Sequence, residues 1–142
     1  MRVLFDTNVV LDVLLARRPH VATAAQLLER VARKELDALL GATTVTTIHY
    51  LATKAVGTRQ AQRHITTLLS LFEVAAVGRP ELSDALALPF DDYEDAVLHE
   101  AARHAGATGI VTRDPAGFAR AKILVYSPAE LLRVLDAQPP RQ

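Results

Sequence analysis

The chain has 142 residues, a length that fits one domain with enough chain to bury a core. Half of the residues are apolar, which argues against disorder, and 16 basic against 16 acidic residues exclude a general polyanion binder. Cysteine is absent, which excludes disulfides and thiolate metal sites and suits the cytoplasm.

The first segment, Arg2–Phe5, reads as a short buried strand, and a helix follows to residue 15. Asp6 and Asp12 interrupt the apolar part of residues 1–15, so this is a poor signal peptide. No apolar run is long enough to span a bilayer. Arg17-Arg18-Pro19 ends the first helix, because proline disfavours helical geometry in the residue before it. Residues 20–34 carry Ala24, Leu27, Leu28 and Val31 at helical spacing. A second strand is expected at 36–40. Thr43 or Thr44 is a candidate cap for a helix that runs to Val56 and stops at Gly57. Next come a helix over 59–71, a strand over 72–77 and a short helix over 80–88. Pro89 breaks the chain before a helix at 92–104. Strands at 108–112 and 123–126 flank a turn at 114–118, and a last helix covers 128–135. Residues 138–142, with two prolines, read as a flexible tail after a single domain of residues 1–137. Strands alternate with helices throughout, which predicts a parallel sheet covered on both faces.

Three carboxylates stand out. Asp6 follows the apolar run Val3-Leu4-Phe5, and Asp114 follows Gly109-Ile110-Val111-Thr112-Arg113. Asp95 closes the acidic cluster Asp91-Asp92-Tyr93-Glu94-Asp95, ahead of an alanine-rich helix. Residues just past the strand ends of a parallel sheet line a crevice at its carboxyl edge. Carboxylates gathered there repel one another unless a cation joins them, and a hard divalent metal is the natural one. Each segment also has a purely structural reading. Asp6, Thr7 and Asn8 are all good helix caps. Asp91 and Glu94 have capping-box spacing, and Asp-Pro at 114–115 favours a turn. On a helical wheel Glu94 lies within the stripe of Leu98, Ala101 and Ala105, with Asp95 at its edge. His99 and His104 are five apart and read as solvated surface histidines, so zinc fits less well than a hard ion.

Taken together, VLFDTNVVLD, DYEDAVLHEAA and IVTRDPAGF resemble the PIN domain family of ribonucleases, in order and over nearly the whole chain. The similarity is greatest to its single-domain bacterial group, which includes the VapC-type toxins of toxin–antitoxin pairs. The resemblance implies a three-layer α/β/α fold whose central parallel sheet has about five strands in order 3-2-1-4-5. It implies Asp6, Asp95 and Asp114 as catalytic acids and metal ligands, supported by Thr7, Asn8 and Thr112, with Phe118 as a packing aromatic. The family's glutamate early in the helix after the second strand has no counterpart here. Alignment puts His49 at that position, and a shift would put Thr47 there; Glu94 or Asp92 could supply the missing charge. The implied chemistry is phosphodiester hydrolysis of RNA assisted by Mg²⁺ or Mn²⁺, with Arg17 and Arg113 as candidate RNA contacts. The implied partners are a cognate antitoxin and a second copy of the chain. Ile65, Leu68, Leu69, Leu71 and Phe72 are more apolar residues than one face needs; either they support a homodimer through helices near the third and fourth segments, or all of them enter the monomer core.

Two other readings compete. A PIN fold weakened by the missing glutamate could serve as a non-catalytic RNA-binding or protein-interaction module. A haloacid-dehalogenase-like phosphatase also has an aspartate after its first strand, in a D-x-D pattern, but Asn8 stands where the second aspartate belongs.

Overall fold

Val3, Leu4 and Phe5 are fully buried, the mark of a strand covered on both faces. In the computed structural model, which describes residues 1–139, this run is β1 (Arg2–Phe5), the middle strand of the sheet. The chain continues through α1 (Thr7–Leu14), α2 (Val21–Ala32), β2 (Asp37–Gly41), α3 (Ala42–Val56), α4 (Thr58–Leu71), β3 (Glu73–Ala75) and α5 (Arg79–Leu86). It then returns through α6 (Tyr93–His104), β4 (Gly109–Val111), a 3-10 turn (Pro115–Phe118), β5 (Leu124–Tyr126) and α7 (Pro128–Ala137). All four strand pairings are parallel and the order is β3-β2-β1-β4-β5, as the resemblance implied. Within the expected tail, residues 140–142 lie outside the described residues.

The strict alternation of β1 divides the core. Val3 and Phe5 face Val10, Leu27, Ile48, Leu68 and Leu131 from the helices of one layer. Leu4, Leu39 and Ile110 face Leu98, Ala101, Ala102 and Phe118 on the other side. Phe5 and Phe72 meet edge to face at 5.2 Å between ring centres. α6 lies so close to the sheet that a Cβ on Gly41 would fall 2.6 Å from Leu98 Cδ2.

Several boundaries differ from expectation. The third strand has only three residues, because Phe72 caps the end of α4 and turns into the core. The N-cap of α3 is Gly41 and not a threonine, and Thr44 is buried, taking a hydrogen bond from the Thr7 hydroxyl at 3.1 Å. Of the five apolar residues between Ile65 and Phe72, Leu68 and Phe72 are buried and Ile65 and Leu71 pack against the core, so most of them serve the monomer; Leu69 is the exposed one.

Candidate metal centre

From β1 the chain winds one way to β2 and β3; β4 and β5 lie on the other side. The carboxyl ends of β1 and β4 therefore flank the point where the winding reverses, the usual place for a ligand crevice in an open α/β sheet. Asp6 leaves β1 here as the N-cap of α1. Its Oδ1 accepts the Thr7 amide at 2.7 Å, and its Oδ2 accepts the Thr112 hydroxyl at 2.8 Å. The cap role and the place in the crevice coexist in one side chain. Thr112, itself buried, accepts the Asp114 amide at 2.9 Å, and Asn8 Oδ1 accepts the Arg113 amide at 3.3 Å.

A cleft over this edge is lined by Asp6, Thr7, Asn8, Arg17, Asp92, Glu94, Asp95 and Asp114, with Leu11, Thr47, Leu51 and Leu98 beneath. The three aspartates singled out in the sequence thus meet. Gly117 makes the approach possible: a Cβ there would lie 2.7 Å from Asp95 Oδ2 and 3.3 Å from Asp114 Oδ2. We expect Gly117→Ala to push the Asp95 carboxylate aside and weaken any metal response about tenfold or more, with little change in melting temperature. Calorimetric titration with Mn²⁺ checks this; wild-type affinity in the variant would mean the two carboxylates do not act together.

The electrostatics follow from the crowding. Burial pushes the Asp6 carboxyl upward, against the lowering effect of its two hydrogen bonds, and Asp114 and Asp92 add to the rise. Asp95 is pushed up to about 7, first by burial and then by the charges of Asp92, Asp6, Asp114 and Glu94. A carboxylate held at neutral pH against its neighbours' charge is a site that favours a cation. Every polar side-chain donor in the lining apart from Arg17 and Asn8 is a carboxylate or hydroxyl oxygen, the set that suits Mg²⁺ or Mn²⁺.

Other expected residues are placed differently. α3 presents Thr47 to the cleft in place of His49, because β2 ends at Gly41 and sets the helix phase. Glu94 lines the cleft from its rim and is exposed, so it does not share the buried stripe of α6, which begins with Ala96. The cap of α6 is Asp92, whose Oδ1 accepts the Glu94 amide at 2.8 Å, and not Asp91. Arg113 turns its guanidinium to Asp12, with Nε and Nη2 donating at 2.6 and 3.1 Å, whereas Arg17 lines the cleft.

His99 is fully buried and not on the surface. Its Nε2 accepts the Lys122 amide at 3.0 Å, which leaves the proton on Nδ1, 2.9 Å from Glu100 Oε2. Burial lowers its basicity. Asp84, Glu100 and His104 form a second group with ligand atoms within 4.8 Å of one another. The Arg103 guanidinium already stands among them, 3.0 Å from Glu100 Oε1 and 3.5 Å from Asp84 Oδ2, so this group carries its own cation.

The family model described as PIN domain matches residues 2–116. Ribonuclease VapC1 of Aquifex aeolicus is 25% identical over 118 residues, which cover 80% of this chain and 81% of that protein. Among solved structures, a toxin–antitoxin complex from Klebsiella pneumoniae is 25% identical, with a TM-score of 0.69 over 89% of this chain and 97% of that one. VapC20 of Mycobacterium tuberculosis, described as a sarcin-ricin loop cleaving toxin, is 18% identical with a TM-score of 0.69, covering 86% and 96% of the two chains. A match over most of the chain, joined to the five-stranded order and the aspartates at its centre, makes this chain a member of the PIN domain family.

Proposed function

We propose that this protein is a divalent-metal-dependent ribonuclease and the toxin of a toxin–antitoxin pair. The observation that carries the reading is the meeting of Asp6, Asp95 and Asp114 at the β1–β4 edge, with Asp95 pushed up to about 7. Asp6, Asp95 and Asp114 would hold Mg²⁺ or Mn²⁺, with Glu94 or Asp92 at the rim. When bound, the ion would polarise a phosphoryl oxygen and supply an activated water for phosphodiester hydrolysis. The chain's own residues prepare the ground. Thr7 and Thr112 fix both oxygens of Asp6, and Asn8 anchors the backbone ahead of Asp114. Arg17 offers the cleft a positive charge for an RNA phosphate. Leu11, Leu51 and Leu98 make an apolar floor that strengthens every charge interaction above it.

The test is cleavage of RNA by the purified chain, with Mg²⁺ or Mn²⁺ and with EDTA. Metal-dependent cleavage abolished by EDTA is expected. The toxin role, supported by relatives described as toxin–antitoxin complexes, is tested by co-expression with the product of a neighbouring small gene, which should bind the chain and suppress cleavage.

One observation favours a binding module instead: α3 gives the cleft Thr47 and no carboxylate. Such a module should gain no thermal stability from Mn²⁺. Asp114→Asn and Glu94→Gln discriminate further. Asp114 and Glu94 are both exposed. We expect Asp114→Asn to weaken the Mn²⁺ response about tenfold, less than substitution of Asp6 or Asp95. Glu94→Gln should reduce it by a smaller factor and leave stability unchanged, since Asp92 provides the cap. A Glu94→Gln protein with normal metal binding and cleavage would remove Glu94 from the site.

The chain is also proposed to form a homodimer through α3 and α4. Tyr50 and Val56 on α3 and Leu69 on α4 are 58, 42 and 49% exposed. Sedimentation should show a dimer at micromolar concentration, reduced by Leu69→Lys; a monomer at high concentration would end the idea. No helix among the described residues is long and apolar enough to cross a membrane.

A further inference from the structure

Asp12 is a charged group that the proposed chemistry leaves unused. Its residue is 1% exposed, deep in α1, where an ionised carboxylate is tolerated only if it is paired and hydrogen-bonded. It is paired in fork geometry. Oδ2 accepts Arg113 Nε at 2.6 Å, and Oδ1 accepts Arg113 Nη2 at 3.1 Å. Asn8 lies one helical turn before Asp12 on the same face of α1, and its Oδ1 takes the Arg113 amide. One helix face therefore grips both the side chain and the backbone of Arg113. On either side, Thr112 donates to Asp6 and the Asp114 amide donates to Thr112. The 112–114 segment is thus fastened to α1 and its cap at Asp6, Asn8 and Asp12.

Asp114 makes no side-chain cap bond to the 3-10 turn that follows it. Its carboxylate stands at the cleft because its backbone is held there, and the Arg113–Asp12 fork is the charged part of that hold. Asp12 Oδ1 also faces Arg17 Nη1 at 4.0 Å, and the Arg17 amide donates to the Asp12 carbonyl at 2.9 Å. The same carboxylate thereby sits behind the arginine that lines the cleft.

We propose that Asp12 is a positioning residue: through Arg113 it sets the place of Asp114, and Arg113 serves this fork and does not touch RNA. The proposal rests on the metal-site reading above. Its readout, Mn²⁺ affinity, is independent of RNA cleavage.

The experiment compares the full chain with Asp12→Asn, Arg113→Met, the double variant and Arg113→Lys, by Mn²⁺ calorimetry and by RNA cleavage kinetics. Loss of an outer partner of a metal ligand lowers metal affinity or activity by about 10–100-fold. We expect Asp12→Asn and Arg113→Met each to lower Mn²⁺ affinity and kcat by about tenfold, the low end of that range and no more than the loss of Asp114 itself, with KM for RNA nearly unchanged in Arg113→Met. The double variant should be no worse than either single one, because the pair acts as a unit. Arg113→Lys keeps the charge against Asp12 but loses the fork, and should show a smaller fall in affinity. It decides the matter if Asp12→Asn does not fold. Wild-type Mn²⁺ affinity in Arg113→Lys and Arg113→Met would overturn the proposal. So would losses that multiply in the double variant, or a raised KM in Arg113→Met alone. A wild-type chain that binds Mn²⁺ and cuts no RNA would sink the ribonuclease reading only, and the affinity comparison would still decide this one. A wild-type chain that binds no Mn²⁺ would overturn both.

Discussion

Asp6→Asn is expected to abolish RNA cleavage and leave the fold intact. The amide keeps an acceptor for the Thr7 N–H, and the Thr112 hydroxyl can accept where it now donates, so the local bonds survive. What disappears is the negative charge at the centre of the cleft. Metal-assisted stabilisation is worth several kcal/mol, and each 1.36 kcal/mol is a factor of ten in rate, so a loss of roughly 10³-fold or more should follow. Stability should move the other way. The folded Asp6 carboxyl is held above its ordinary value by burial, so its ionised form costs the fold stability at neutral pH. The asparagine variant should melt at the same temperature or higher without metal, and gain little from Mn²⁺. Cleavage at the wild-type rate by cleanly purified Asp6→Asn protein would remove Asp6 from the mechanism.

The second large effect is on pH dependence. Asp95 rises from 3.8 to about 7 on folding. A carboxyl that is less acidic in the folded state binds its proton more tightly there, so protonation favours folding. Its stabilising effect is complete below about pH 4, fades as pH rises through about 7, and is gone above that. Without metal, the melting temperature should therefore fall between about pH 4 and pH 7. A shift of this size corresponds to roughly 4 kcal/mol at most, and solvent screening of a half-buried group brings it to about 2 kcal/mol. Mn²⁺ should reverse the trend, because the ion takes the proton's place and competes with it. Asp95→Asn should flatten the metal-free profile and abolish cleavage. Parallel melts of both proteins from pH 5 to pH 8, with and without Mn²⁺, give the answer. Identical slopes would show that another group titrates in this window.

The contrast between Asp95 and Glu94 shows how far the linear pattern reaches. Both sit in the same acidic run before α6, and helical periodicity assigned Glu94 to the buried stripe. The structure exposes Glu94 and half-buries Asp95, because Asp95 packs beside Gly117 of the 3-10 turn while the buried run of α6 begins only at Ala96. Thr47 and His49 differ in the same way. The sequence allows either to face the cleft, and the end of β2 at Gly41 decides. His99 reads as a surface histidine because nothing in its neighbourhood of sequence announces the Lys122 amide that donates to its buried Nε2.

By itself the sequence determined the alternation of strands and helices, the parallel sheet, and the placing of Asp6 and Asp114 just past strand ends. These follow from short-range rules: apolar runs, helical spacing, and proline and glycine at boundaries. The motif resemblance added the strand order. Only the tertiary structure decided which groups meet. Asp12 and Arg113 are separated by 101 positions, and Asp6 and Thr112 by 106, yet each pair is joined at hydrogen-bond distance because β1 and β4 are neighbours. Periodicity carries no information about such partners. The cost of burying the Asp12 charge is met only when folding brings β4 alongside β1, and that pairing also sets Asp114 in the cleft.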